Sequence, residues 1–440
     1  MSSALPHAME PESLPASRAL PAHALIAYGF LRAPLALLEL PLFVLLPAFY
    51  GRDAGLPLAV VGGVLFAARL IDAIADPLLG DAIDRSRHRV GYRRWIGIAM
   101  IPLAIAFTAL LHPPAWSAPS LAAWLAVCSV LTYVAWSSVT IAHQAWGAEL
   151  GGDRVTRVRI TGIREACGLA GVLGSAAMLE PRYAGVLAAS FAGLLLIAAL
   201  ALRRAPLPRP SPTQALAPTL TNPRSIWREL RSDRRFVHLL AVFLANGTAS
   251  ALPATLLLFF VADVLDAPTD APLFLLIYFA AAALGMPVWI RLGARFGARR
   301  AWLVGMMAAV LAFAWAYALD AGDIKAFAVI CAITGLALGA DLAMPPALLA
   351  SVIAATGRRG VREGAYFGVW SLATKLNLAL AAGLGLPLIG LAGYRPGDPA
   401  AATLALSFAY AALPCLIKLA AFWLLWRLPD PDSRDPREVP

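Results

Sequence analysis

The feature that most constrains this chain is a recurrence of apolar runs about 20 residues long, separated by charged or Pro/Gly-containing breaks. As a helix, such a run covers the ~30 Å of a bilayer's hydrocarbon. The composition agrees: 60% of residues are hydrophobic and 14% charged, against about 45–50% and about 25% in soluble domains. The runs fall near 24–50, 56–80, 95–112, 120–149, 160–180 and 184–202, then 237–262, 272–291, 300–319, 325–349, 364–391 and 402–427. The reading is an all-α membrane protein of twelve transmembrane helices.

Charge in the connections orients these spans. Connections after the even-numbered spans, with the C-terminal tail, carry 26 arginines, from Arg85 to Arg437; the opposite set holds Arg52, Arg182, Lys325 and Arg395. The positive-inside rule then places both termini in the cytoplasm of an inner (plasma) membrane. A net charge of +10 arises from this alternation, so nucleic acid is excluded as a partner. The Pro-rich start, "MSSALPHAMEPESLPASRALPAH", lacks the basic and apolar blocks of a signal peptide and reads as a disordered cytoplasmic tail, 1–23. One long polar connection, 203–236, separates a six-helix half (24–202) from a second (237–427), with a tail at 428–440. "RLGARFGARR" follows span 8 much as "DRSRHRVGYRR" follows span 2, a weak internal repeat. Two six-helix halves joined this way suggest the major facilitator architecture. Cys128, Cys167, Cys331 and Cys415 lie in apolar runs without metal-ligand spacing, so they read as small buried side chains.

Ionisable residues inside a bilayer cost about 2.5–3.5 kcal/mol each on insertion scales, so each is a functional candidate. Asp72 and Asp76 stand one turn apart on one face of span 2. Two such carboxylates repel unless a cation or proton lies between them. Paired carboxylates with a hydroxyl would suit a hard cation such as Na⁺. Alternatively, Arg69 pairs with Asp72 while Asp76 ties span 2 to a neighbour. Lys375, about eleven residues into span 11, must find an acid, lose its proton or face water. Arg32 and Glu39 share a face of span 1. His143 is a proton carrier, a substrate donor or an interhelical tie. Trp146 and Trp370, beside polar residues within spans, are weaker substrate candidates, and Lys418 is expected to snorkel toward the cytoplasmic face. Gly80, Asp81, Asp84 and Arg85 at the mouth of span 2 resemble the Gly-Asp-Arg loop of facilitator transporters, which implies a structural latch.

"RLIDAIADPLLGDAIDRSRHRVGYRR" resembles the signature of the glycoside–pentoside–hexuronide:cation symporters, the melibiose permease group of the major facilitator superfamily. "TGRRGVREGAYFGVWSLATKL" (356–376) is similar to that family's approach to helix 11 and its lysine. The resemblance implies a coupling-cation site on Asp72 and Asp76, with Thr140 as the helix-4 hydroxyl. It further implies that Lys375 links cation and substrate sites and that Arg164 is a functional arginine. Ala36 stands where the melibiose permeases carry a sugar-binding aspartate, and their second falls near Ala142, beside His143 and Gln144. Glu39, Arg32, His143 and Gln144 are therefore candidates for a different pocket.

The expectation is a secondary symporter coupling Na⁺ or H⁺ to a sugar or glycoside-like solute by alternating access. It needs no cofactor and no metal beyond a Na⁺ at Asp72 and Asp76, and is expected to act as a monomer. The rivals are a lysophospholipid or other amphiphile symporter and a membrane sensor that binds solute without moving it. An enzyme is not expected, since the chain lacks a metal cluster, nucleophile elbow or phosphate loop.

Overall fold

The computed structural model describes residues 20–176, 178, 181–208, 228, 230–394 and 403–429. The expected tail at 1–19, most of the linker and residues 430–440 lie outside that set. Among the described residues the chain forms twelve helical segments. α1 covers 22–53 and α2 Leu58–Val90, followed by α3 (Tyr92–Leu111), α4 (Ala118–Leu150), α5 (Arg154–Ala176) and α6 (Ala184–Leu202). The second set is α7 (Arg234–Asp263), α8 (Ala271–Phe296), α9 (Ala298–Phe313), α10 (Ile324–Ala355), α11 (Glu363–Leu391) and α12 (403–427). Eight of these, α3, α4, α6 to α10 and α12, are individually long and apolar enough to cross a membrane.

Two helices are irregular. α1 runs as Ala22–Gly29 and Arg32–Leu37, then a wide π turn at Pro41–Leu45, a turn at Leu46–Ala48 and a second π turn at Phe49–Asp53. Pro34, Pro41 and Pro47 each remove a backbone donor, which forces the ladder to re-register. α12 has a matching π turn at Phe408–Ala412, just before Pro414.

The internal repeat has a backbone counterpart. α2 passes to α3 through Gly91 (φ 73°, ψ 151°), and α8 passes to α9 through Gly297 (φ 93°, ψ 151°). Both need the left-handed φ that glycine adopts without Cβ strain. α2 therefore runs to Val90, about ten residues past the apolar run, because the charged mouth continues the helix.

The halves meet along α2 with α11, α5 with α8 and α10, and α4 with α11. α2 and α11 approach most closely at glycines. A Cβ on Gly80 would collide with the carbonyl of Gly364, and one on Gly368 with the carbonyl of Asp76. Removing side chains is how membrane helices gain backbone contact where lipid supplies no hydrophobic drive.

Candidate functional site

α2 and α11 carry the charges that meet between the halves. Lys375 lies twelve residues after the start of α11, about 18 Å along its axis. Its Nζ sits 2.6 Å from Asp72 Oδ2 and 2.6 Å from Asp76 Oδ2. Both aspartates are buried, Asp72 2% exposed and Asp76 0%. Ser137 on α4 donates to Asp72 Oδ1 at 2.7 Å and accepts from Lys375 Nζ at 3.0 Å. The partner of Asp72 is thus Lys375 rather than Arg69, whose guanidinium lies 5.3 Å from the Tyr133 ring centroid. Despite its ion-pair contact, neither oxygen of Asp76 accepts a hydrogen bond of good geometry among the described residues. Two carboxylates and one ammonium sum to −1 when all are ionised.

The hydroxyl on Asp72 belongs to Ser137, one turn from the expected Thr140. Thr140 Oγ1 is buried and makes no hydrogen bond among the described residues, as are Ser129 Oγ, Thr132 Oγ1 and Gln144 Oε1. With Tyr133, whose hydroxyl is likewise without a partner among the described residues, and Ser137, positions 129, 133, 137, 140 and 144 recur every three to four residues along one face of α4. That spacing is readable in "CSVLTYVAWSSVTIAHQ", and following it would have found Ser137.

A second polar group joins α1 to α5. Arg32 NH1 reaches Glu39 Oε1 at 2.6 Å, and Arg32 Nε lies 3.5 Å from Glu165 Oε2. Arg164 donates to Glu165 Oε1 from Nε at 3.0 Å and from NH2 at 2.6 Å. Arg32 and Glu39 keep side-chain exposures of 19% and 26%, whereas Ala36 and Ala142 are fully buried. Glu39 and Glu165 are therefore the carboxylates this region offers. Glu165 was not among the expected site residues, although it adjoins Arg164.

The other candidates pack. His143 Nε2 lies 2.9 Å from the Tyr28 carbonyl, and Tyr28 OH donates to the His143 carbonyl at 2.5 Å, tying α1 to α4. Trp146 is buried, donates to the Pro206 carbonyl at 3.1 Å and lies parallel to Tyr92. Trp370 stacks on Phe243 at 3.8 Å between ring centroids. Gln144 borders a small crevice with Tyr28, Arg157 and Arg164.

The arginine-rich end is closed by a network across the halves. Asp84 accepts from Gly364 N at 2.7 Å and Ala365 N at 2.8 Å. These are orphan donors in the first turn of α11, where the helix dipole also favours an anion. Arg87 lies 3.0 Å from Glu149 and 3.4 Å from Glu363. Arg157 donates to Ser351 at 2.6 Å and Arg359 to the Glu149 carbonyl at 2.8 Å. Asp81 pairs with Arg85 and, at 3.8 Å, with Arg362. In the connection after α4, Asp153 is held below the usual carboxylate range: burial opposes this, but hydrogen bonds from Thr156 outweigh it. Lys418 does not snorkel. It is buried within the second half, paired to Asp341 at 2.7 Å, because Asn246 and Ser250 complete its donors there.

Twelve helices in two halves, with buried ionisable groups where they meet, define a major facilitator transporter. The family profile for MFS/sugar transport proteins matches residues 27–431, and the chain belongs to that family. Its apolar helices make it a multi-pass membrane protein. It is similar to the inner membrane symporter YicJ of Escherichia coli K12, 28% identical over 134 residues, 30% of this chain and 29% of that protein. The putative glycoside/cation symporter YagG of the same strain is 27% identical over 138 residues, 31% and 30% of the two chains. The uncharacterized symporter sll1374 of Synechocystis is 30% identical over 125 residues, 27% and 23%. The matched segments thus span less than a third of each relative. Among solved structures, a bacterial homologue of the iron transporter ferroportin in its outward-facing state has the same fold, with a TM-score of 0.68 at 16% identity, covering 93% of this chain and 99% of that one.

Proposed function

We propose that the protein is a cation-coupled symporter of a sugar or glycoside-like solute, with Asp72 and Asp76 holding the coupling Na⁺ or H⁺. The observation that carries this reading is the charge imbalance between the halves. Asp76 is fully buried and accepts no hydrogen bond of good geometry among the described residues, and one lysine faces two carboxylates. A buried carboxylate left so is costly, and a bound cation or a proton removes the cost. Lys375 occupies the site as a tethered ammonium. An entering ion displaces it, so that the lysine can turn toward solute while Asp72 keeps Ser137.

With the positive-inside rule applied, the arginine-rich end is cytoplasmic, as are both termini. The network around Asp84, Arg87 and Arg157 then shuts the cytoplasmic side, and the conformation is outward-facing. Solute is held by Glu39, Glu165, Arg32 and Arg164, whose alternating charges suit the hydroxyls of a neutral polyol. The unpaired hydroxyls of α4 line the approach. Cation and solute together leave no uncompensated buried charge, which favours closure only when both are bound and so couples the fluxes.

De-energised cells making the protein, in weakly buffered medium with and without sodium, test this. A panel of glycosides, pentosides and uronides should evoke uptake of H⁺ or Na⁺ that disappears in Asp76→Asn. Solute binding with no cation movement would instead assign the protein as a sensor, and an evoked flux only with lysolipids would assign it as an amphiphile carrier.

A further inference from the structure

The half built from α7 to α12 holds a cavity that the transport reading does not use. It measures about 160 Å³ and is bounded by α7, α8, α9, α10 and α12, with no residue from the first half. Its walls include Phe274, Tyr278, Phe313 and Tyr410. Its floor is the Lys418–Asp341 pair. All three ammonium protons are engaged, by Asp341 Oδ2 at 2.7 Å, Asn246 Oδ1 at 2.8 Å and Ser250 Oγ at 3.1 Å. Asp341 Oδ1 accepts from Trp302 Nε1 at 2.7 Å. The floor is therefore neutral as a unit. The hydroxyls of Tyr278 and Tyr410 have no hydrogen-bond partner among the described residues.

These facts restrict the occupant. An apolar cavity of about 150 Å³ accommodates benzene, so the space admits a single ring. An anion is disfavoured, because Lys418 has no free donor and Asp341 repels it. A cation would bring a second charge out of water onto a floor already neutralised. A pure hydrocarbon would leave two phenols and the Ser250 proton unsatisfied. A ring bearing one hydroxyl engages part of this polar lining as both donor and acceptor. The ring packs edge-to-face among the wall aromatics, while its hydroxyl donates to a remaining Asp341 lone pair and accepts from a tyrosine.

We propose that this cavity is a binding site for a neutral, single-ring phenol or aromatic alcohol, separate from the solute path between the halves. Its confinement to one half lets an occupant stiffen that half without blocking transport.

The probe is p-cresol, measured by equilibrium dialysis with the purified full chain in micelles, against empty micelles. Saturable binding is expected. It should be lost in Ala309→Phe, which fills the space from α9, and retained in Asp76→Asn, so failure here is distinguishable from failure of the cation site. Benzoate and methylcyclohexane should bind several-fold more weakly. Cys331 and Cys415 line the cavity, whereas Cys128 and Cys167 do not. In a Cys128→Ala/Cys167→Ala background p-cresol should therefore also slow maleimide modification of the remaining thiols. The proposal is overturned by absence of saturable binding, by equal binding of methylcyclohexane, or by unchanged binding in Ala309→Phe.

Discussion

Two lysines lie within spans of this protein, and their surroundings differ in one decisive way. Lys418 faces a single aspartate inside one half, with Asn246 and Ser250 completing its three donors. Lys375 faces two aspartates across the boundary between halves, with one serine besides. The first site is balanced in charge and closed. The second carries an excess negative charge when all three groups are ionised and joins helices of the two halves. The same residue type is thus a packing element in one place and, in the proposed symport, a replaceable counter-ion in the other.

The sharpest way to break this comparison is to remove each lysine. Taking one partner from a buried ion pair costs about 3–5 kcal/mol, so Lys375→Ala and Lys418→Ala should both lower thermal stability by that order. They should differ in rescue. Sodium or acid should restore Lys375→Ala, because either replaces the lost cation between Asp72 and Asp76. Sodium should not restore Lys418→Ala, since only Asp341 remains there; acid should, by protonating that lone carboxylate, so the sodium arm separates the two. Melting curves across sodium concentration and pH check this, and equal rescue of both by sodium would erase the distinction.

A second variant tests the seal at the arginine-rich end. Asp84→Ala removes two charge-assisted hydrogen bonds from the first turn of α11, each worth about 1.5–3 kcal/mol. The variant should shift toward the conformation open at that end, read as faster maleimide labelling of a cysteine placed at Ser351. Arg300→Ala, outside the network described here, should leave labelling unchanged.

Ser137→Ala should have the least effect on stability, about 1.5–3 kcal/mol for one hydrogen bond to a charged group. It should nonetheless raise the cation concentration needed for half-maximal transport several-fold. Thr140→Ala should do so less, because Thr140 makes no bond to Asp72. Transport assays over a sodium or proton range separate the two, and an inverted order would return the helix-4 hydroxyl to Thr140.

Much of this was legible in the sequence because membrane physics leaves few choices. Apolar runs give the twelve helices, and the Asp72/Asp76 spacing marks a shared face of α2. Lys375 was recognisable from its depth alone. The sequence did not disclose which groups would meet. Ser137 and Thr140 are equally plausible hydroxyls until the rotation of α4 is known. Lys418 resembles a snorkelling residue unless Asp341, 77 positions earlier, is placed beside it. Polar and aromatic residues within spans invite a substrate reading of His143 and Trp146, and the sequence does not show that Tyr28, in the first segment of α1, packs against both. The latch likewise depends on Gly80 and Gly364, distant in sequence, whose missing side chains let α2 and α11 touch.

Cation-coupled symport as proposed requires the site at Lys375, and not the site at Lys418, to bind a cation. Its most direct test is equilibrium binding of Na⁺, with proton uptake followed in parallel by a pH indicator, on the purified protein. The account predicts one Na⁺ or H⁺ bound per chain in the wild type, lost in Asp76→Asn and retained in Asp341→Asn. Binding that survives Asp76→Asn, or that fails in Asp341→Asn while the protein remains folded, would contradict it.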